Sequence, residues 1–406
     1  MPKQKGQKRR SPRLTRGLII ILIVLAAAAV FGYSRPLPLI YPHNSLKLSA
    51  QGGAKLDWPS SGEAAVGAVN YGLLASSGDQ TPKPTASIAK LVTALAVLSK
   101  YPLGLGQQGP AITLTAADVT LYDQYLAEDG SVVKVQAGEQ ITEYQALEAM
   151  MLPSANNMAD SLAIWAFGSL SSYSTFANQF ITTLGLTNTH IGSDASGFLP
   201  DTTSTATDLV TLGMDILKTP VLAAITNETQ ATLPVAGVVV NVNWLLGQDG
   251  IIGIKTGNSN QAGGVFLFAA DDNINSSQTV TIVGAVQGSA NLQIALDQTV
   301  PLLTSVKQNF TLSTLVTAGQ VVGYYKTPWK DLVPAIAQNN LMAVIWKGTT
   351  PQPTLSLDPL HSPQASGTKV GLLSFHSANK PLYDPVSLGQ PLAKPPIFWR
   401  VIRHNL

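Results

Sequence analysis

Apolar residues recur at Ile88, Leu91, Val92, Leu95 and Leu98, a three-and-four spacing that predicts a helix. Pro84 and Thr85 stand just before it, and threonine is a favoured helix N-cap. Further helices are expected over 115–118 onward, from Thr142 to Met151, from 157 to 167, from 173 to 184 and from 204 to 217. Short β-branched runs bounded by Gly, Asn and Asp read as strands at 64–74, 132–135, 235–242, 251–255, 264–270 and 280–287. A closing helix is expected over 292–307, interrupted near Pro301. Strands at both ends of a helical middle predict an α+β domain whose single sheet is assembled from distant parts of the chain. Beyond about Phe310, prolines punctuate short apolar segments such as 321–325, 341–346, 354–357 and 370–374, the pattern of a small all-β domain. Trp329, Trp346 and Trp399 in that region read as core or interface residues.

The front end differs from this pattern. The first sixteen residues hold seven cations (Lys3, Lys5, Lys8, Arg9, Arg10, Arg13 and Arg16) and no acid. They outnumber the net charge of +2, so the rest of the chain is net negative and does not favour nucleic acid. Residues 17–33 follow as an uncharged apolar run, within range of a membrane span. The basic flank places the N-terminus in the cytoplasm and the body outside. A cleaved signal peptide, with Ala26-Ala27-Ala28 as its cleavage site, is the rival reading and exports the same body. Residues 34–50, rich in Pro, Ser and Leu, read as a linker. The expected organisation is a basic tail (1–16), an anchor (17–33), a linker (34–50), a main domain (51–309) and a β-rich domain (310–406).

Absent residue types narrow the chemistry. With no cysteine there is no disulfide and no thiol catalysis. The five histidines form no His-Glu-x-x-His pattern, which disfavours a zinc hydrolase, and no Gly-x-Ser-x-Gly elbow occurs. What the chain does offer is Ser87 in the first turn of a helix, three residues before Lys90. The two share a face at the positive end of the helix dipole. An amine with a lowered pKa takes the hydroxyl proton, and free N–H groups there stabilise an oxyanion. Ser-x-x-Lys alone is a common chance pattern. It gains weight from Ser154-Ala-Asn156 in a proline-bearing break between helices and Lys255-Thr256-Gly257 at a strand end, in that order.

With these three stretches the chain resembles the penicillin-recognising serine hydrolases, most closely the serine-type D-Ala-D-Ala carboxypeptidases, or low-molecular-mass penicillin-binding proteins. Leu184-Gly-Leu-Thr-Asn-Thr-His, Ser204-Thr-Ala-Thr-Asp-Leu and Asn243-Trp-Leu-Leu extend the likeness, which runs from about Ser60 to Lys307. The resemblance implies a β-lactamase/transpeptidase-like α+β fold: an antiparallel sheet packed with helices, plus a helical subdomain. It implies Ser87 as nucleophile toward a D-alanyl-D-alanine bond, Lys90 as base and Ser154 as proton relay. Lys255 would keep Lys90 neutral by repulsion. Asn156 would hold the substrate amide or Lys90, Lys255 and Thr256 would bind the substrate carboxylate, and Gly257 would permit close approach. The backbone N–H groups of Ser87 and Asn258 would form the oxyanion hole. Peptidoglycan pentapeptide is the implied substrate, β-lactams are implied covalent inhibitors, and no metal or organic cofactor is implied.

Two departures stand out. Ser196 occupies a loop position where the family often has histidine, and Asn258 and Gln261 follow the third motif. The rival activities are a DD-endopeptidase or transpeptidase and a β-lactamase. Class A β-lactamases use a glutamate between the second and third motifs, where this chain has only Glu228, without the expected Leu-Asn ending. The non-enzymatic alternative is a cell-wall-binding scaffold, which the intact motifs argue against.

Overall fold

Every residue of the strand Glu63–Ala68 is buried, which suits its small side chains and a place between two neighbours. In the computed structural model it pairs antiparallel with Gln278–Ser289 on one side and Gly72–Ser77 on the other. The five-stranded sheet runs Ile251–Ser259, Gly263–Asn275, Gln278–Ser289, Glu63–Ala68, Gly72–Ser77. A strand near the front of the chain thus completes a sheet made by strands two hundred residues later, as the distribution of strand patterns predicted. The structure describes residues 12–48, 52–349, 351–377 and 380–403. Residues 1–11 of the expected basic tail lie outside the described residues.

The chain forms two compact units: Gly52–Thr311 with Trp346–Gly348, and the described residues of Met1–Gln51, Leu312–Ile345 and Thr349–Leu406. In the first unit, helix Ala206–Lys218 packs on the sheet so closely that a Cβ on Gly213 would lie 2.7 Å from Val283 Cγ1. Strand Gly263–Asn275 buries residues of both parities: Val265, Leu267 and Ala269 join the main core, and Phe266 and Phe268 point to the opposite face. Helix Leu292–Lys307 also packs against this strand. It runs unbroken through Pro301, against the expected interruption; packing on the sheet and the Asn291 side-chain cap outweigh the donor that proline lacks.

The helix Ala89–Lys100 is the centre of the helical region, with every residue from Ala89 to Leu98 buried. Helices Glu143–Met151, Asn156–Phe167 and Leu170–Thr183 pack against it. Thr142 and Thr115 begin their helices with capping boxes to Gln145 and Asp118. The strand expected at 132–135 does not form. Val133 gives its N–H to Asn157 Oδ1 (3.0 Å) and its carbonyl accepts from Asn157 Nδ2 (2.9 Å), so a side chain takes the place of a strand partner.

The second unit carries a six-stranded antiparallel sheet ordered Pro42–Asn44, Val321–Lys326, Leu332–Ala337, Lys380–Leu388, Lys369–Ser377, Thr354–Leu357. Its core includes Val322, Tyr325, Ala335, Val370, Leu373 and Val386. Residues 34–50 are therefore more than a linker: Ile40 is buried and Pro42–Asn44 pairs with Val321–Lys326. Trp329 meets Trp399 edge-on at 5.2 Å, whereas Trp346, the third tryptophan of this region, is buried and belongs to the first unit. The N-terminal helix Pro12–Ser34 contains a stretch, Arg16–Ser34, long and apolar enough to cross a membrane.

Candidate active site

Ser87 sits in a 3-10 turn, Ala86–Ile88, that leads directly into the helix Ala89–Lys100. Thr85 does not cap it through its side chain as expected; its hydroxyl faces the carbonyls of Ala86 (3.3 Å) and Thr202 (3.5 Å). The turn is tight because Ala86 is held in the left-handed region at φ +46. Two glycines make room for it. A Cβ on Gly257 would lie 2.9 Å from the Thr85 carbonyl oxygen, and one on Gly197 only 2.1 Å from that of Ala86. Gly197 was not singled out in the sequence.

Lys90 is fully buried, with its Nζ 2.7 Å from Ser87 Oγ, 2.8 Å from Asn156 Oδ1 and 3.0 Å from the Ser196 carbonyl oxygen. Asn156 Oδ1 and the Ser196 carbonyl accept only. A neutral amine gives its two N–H groups to them and turns its lone pair toward the Ser87 hydroxyl. Burial pulls Lys90 down to about 7, against the opposing pull of Asp194 and Asp160. Burial, rather than repulsion from Lys255, is thus the chief cause of its weakened basicity. Lys255 is buried too and lies well below its usual range, first through burial and then through repulsion from Lys90. Its Nζ is 3.2 Å from the Thr256 carbonyl oxygen.

Lys255, Thr256 and Gly257 lie on the edge strand Ile251–Ser259, paired on one side with Leu267, Phe266 and Val265. The strand continues further than expected, to Ser259, and Asn258 uses its side-chain oxygen to accept from Leu292 N–H (3.1 Å). Ser154 has a left-handed φ of +65, and its buried Oγ makes no hydrogen bond to Lys90 or Lys255. The structure therefore joins Ser87, Lys90 and Asn156 directly, and leaves the Ser154 hydroxyl free within the described residues.

Two buried carboxylates near this cluster escaped the sequence reading. Asp194 accepts from Ser196 N–H (2.7 Å), Ser196 Oγ (2.6 Å), Phe198 N–H (3.2 Å) and Leu199 N–H (3.0 Å), which shapes the loop that presents the Ser196 carbonyl to Lys90. Asp160 accepts from Tyr125 OH (2.6 Å) and Ala195 N–H (2.9 Å), and burial pushes it up to about 6. Ser196 thus contributes its main chain to Lys90 and its hydroxyl to Asp194. A groove of about 460 Å³ opens beside the cluster, lined by Ser87, Asn156, Gly197, Phe198 and Asn258 among others. Glu228 is not among its lining residues; it accepts from Tyr144 OH.

A serine hydroxyl held against a buried amine, on an α+β scaffold with an edge strand alongside, is the arrangement of a serine–lysine hydrolase. Residues 64–286, over half of the chain, match the D-alanyl-D-alanine carboxypeptidase family of peptidases (S11), and the chain belongs to that family. It is 31% identical over 206 residues to D-alanyl-D-alanine carboxypeptidase DacB2 of Mycobacterium tuberculosis, covering 49% of this chain and 66% of that protein. It is 29% identical over 252 residues to the D-alanyl-D-alanine carboxypeptidase of Streptomyces sp. strain K15, covering 56% and 82%. Among solved structures, penicillin binding protein 5 from Haemophilus influenzae aligns with a TM-score of 0.56 at 19% identity, covering 86% of this chain and 99% of that one. The Streptomyces K15 DD-transpeptidase aligns at 0.53 and 22% identity, covering 64% and 98%. The expected fold class is the observed one.

Proposed function

We propose that the protein is a serine D-Ala-D-Ala carboxypeptidase acting on peptidoglycan stem peptides through an acyl-enzyme. The observation that carries this reading is the 2.7 Å contact between Ser87 Oγ and a buried Lys90 whose other two neighbours only accept hydrogen bonds. Ser87 Oγ attacks the carbonyl carbon of the penultimate D-alanine as Lys90 takes its proton. The backbone N–H groups of Ser87 and Asn258 hold the oxyanion. The C–N bond then breaks, the leaving amine of the terminal D-alanine takes the proton through Ser154, and an ester on Ser87 remains. Water hydrolyses it and restores the hydroxyl.

Lys255 and Thr256 bind the terminal carboxylate of the substrate. That carboxylate supplies the counter-charge that burial denies Lys255 in the free enzyme, so binding and protonation of Lys255 reinforce each other. Asn156 orients Lys90, and the substrate backbone adds to the free edge of the strand Ile251–Ser259. β-Lactams acylate the same serine. The apolar helix is an N-terminal anchor that holds the peptidase region, 51–309, and the β-rich region, 310–406, outside the cell membrane.

The test is labelling of the purified protein with a fluorescent penicillin, paired with assay of D-alanine release from a muramyl pentapeptide. The expected result is a covalent band lost in Ser87→Ala, together with released D-alanine. A wild type that neither labels nor releases D-alanine overturns the reading. A second reading, transfer of the acyl group to an amine instead of water, rests on the DD-transpeptidase among the structural neighbours. A dimeric peptide product in the same assay distinguishes it.

A further inference from the structure

Between Ala89 and Leu98 every residue is buried, and only Lys90 and Thr93 of the ten are polar. The reaction at Ser87 accounts for Lys90 and leaves Thr93 unexplained. A buried hydroxyl is unfavourable unless its hydrogen bonds are made, and valine or alanine would fill this helix position without that cost. Thr93 stands three residues after Lys90, as Lys90 stands three after Ser87, so the three side chains share a face.

The contacts of Thr93 fix the direction of a chain of hydrogen bonds. Its Oγ1 is 2.6 Å from the Ala195 carbonyl oxygen and 2.7 Å from Tyr173 OH. A carbonyl only accepts, so the single Thr93 proton goes to Ala195 and the Thr93 oxygen accepts from Tyr173. Tyr173 is fully buried, and burial pushes its hydroxyl up, so it keeps the proton it donates.

Three successive peptide units of the loop are held by buried side chains. The first is tied through Ala195 N–H, which donates to Asp160 Oδ1 at 2.9 Å. The second has its carbonyl, that of Ala195, on Thr93, and its N–H, that of Ser196, on Asp194 Oδ1 at 2.7 Å. The third carries the Ser196 carbonyl, which accepts from Lys90 Nζ at 3.0 Å. Turning the second unit moves the third. Among the described residues the Ala195 carbonyl accepts from Thr93 alone.

We infer that Thr93 is a positioning residue for the base: by holding the Ala195 carbonyl it sets the next carbonyl, that of Ser196, where it takes one N–H of the Lys90 amine and leaves the lone pair facing Ser87. The inference rests on the proposed function and deepens it. One helix face then carries the nucleophile, the base and the residue that places one of the base's two acceptors; Asn156 is the other acceptor. Without the Thr93 hydroxyl the Ala195 carbonyl is buried with no donor. Its peptide unit turns to find one, and the Ser196 carbonyl leaves Lys90. That carbonyl also favours the ammonium form, so its departure weakens the amine as a base while it loosens its aim.

The experiment compares three variants. Thr93→Val has the shape of threonine without the hydroxyl, Thr93→Ser keeps the hydroxyl, and Tyr173→Phe removes the outer bond while Thr93 still donates to Ala195. Stopped-flow acylation by a fluorescent penicillin from pH 5 to 9 separates its dissociation constant from the acylation rate, and Tm is measured on the same samples. Thr93→Val is expected to lower the limiting acylation rate about ten-fold, a part of what a positioned base supplies, with the dissociation constant unchanged. Its rising limb moves to lower pH. Thr93→Ser stays within about three-fold of wild type, with its limb in place, because the donor remains. Tyr173→Phe lowers Tm as Thr93→Val does, each losing one buried hydrogen bond, yet acylates within about three-fold of wild type. Should Thr93→Val not fold, Thr93→Ala is read in its place. A Thr93→Val protein that acylates at the wild-type rate, a limb moved to higher pH, or an equal loss of rate in Tyr173→Phe overturns the positioning role and leaves the carboxypeptidase reading intact. A wild type that neither labels with penicillin nor releases D-alanine overturns that reading and the inference with it.

Discussion

Asn156 Oδ1 lies 2.8 Å from Lys90 Nζ, tying the first turn of one buried helix to the first turn of another. The contact selects one orientation of a long, flexible side chain, with the lone pair of its neutral form directed at Ser87. Without it the amine would have to find another partner in a site from which water is largely excluded. Asn156→Ala is therefore expected to lower the second-order rate of acylation by about a hundred-fold, the lower end of what a positioned base contributes. Stopped-flow acylation by a fluorescent penicillin measures it. A loss of under three-fold would mean that Lys90 is positioned without Asn156.

The pH profile follows from the charges around Lys90. The amine works as a base only when unprotonated, so acylation should rise with pH through about 7, where burial has brought it. Asp194 and Asp160 favour the protonated form, and burial opposes it. Removing one of the two acids should lower the Lys90 value and move the rising limb to lower pH. Asp160→Asn suits the test, because an amide still accepts from Ala195 N–H and still meets Tyr125 OH. Acylation rates from pH 5 to 9 give the limb in each protein; a shift to higher pH contradicts the assignment.

What the sequence made legible was chemistry with local spacing. Ser87 and Lys90 share a helix face because they are three apart, and Thr142 and Thr115 read as caps because their partners follow within three residues. What it hid depends on contacts between distant segments. Nothing in the sequence near Asp160 indicates that it meets Ala195, or near Gly197 that it presses on Ala86. Val132–Val135 has strand composition, yet a side chain of the Asn156–Phe167 helix takes its backbone groups. Residues 42–44 have loop composition, yet they pair with a strand almost three hundred residues away. Pairing partners of that separation leave no periodic signal in either segment.

The glycine contacts around the nucleophile turn give a graded set of variants. Gly197 combines φ +70 with a Cβ position 2.1 Å from Ala86 O, while Gly257 lacks the positive φ and its Cβ position is 2.9 Å from Thr85 O. Gly168 has φ +85 at a helix end, with nothing within 4 Å of its Cβ position. All three alanine variants are accessible by one substitution. Gly168→Ala should cost about 1 kcal/mol through backbone strain alone and leave acylation unchanged. Gly197→Ala and Gly257→Ala should displace the turn and reduce acylation by more than ten-fold, Gly197→Ala also lowering Tm the most. Thermal melts and penicillin labelling on the same samples separate the two effects.

Glu143 provides a test of stability remote from the reaction. It is wholly buried beneath Gly109, and among the described residues neither carboxylate oxygen has a hydrogen-bond partner. Its place in the first turn of a helix favours the charge, but burial wins and pushes the group up to about 7 from its ordinary 4.5. The folded state thus binds a proton that the unfolded state has lost between those values, so stability falls as pH rises from about 4.5 to about 7. Glu148 is raised in the same direction, by burial and by Glu228, and contributes to the slope of any variant that retains it. Glu143→Gln removes one of these two contributions. The variant should be more stable than wild type at pH 8, where the wild-type carboxylate is charged and unpartnered, and close to it at pH 5. Thermal melts at the two pH values measure the difference; equal losses of Tm between pH 5 and 8 in both proteins would show that Glu143 is solvated or paired when charged.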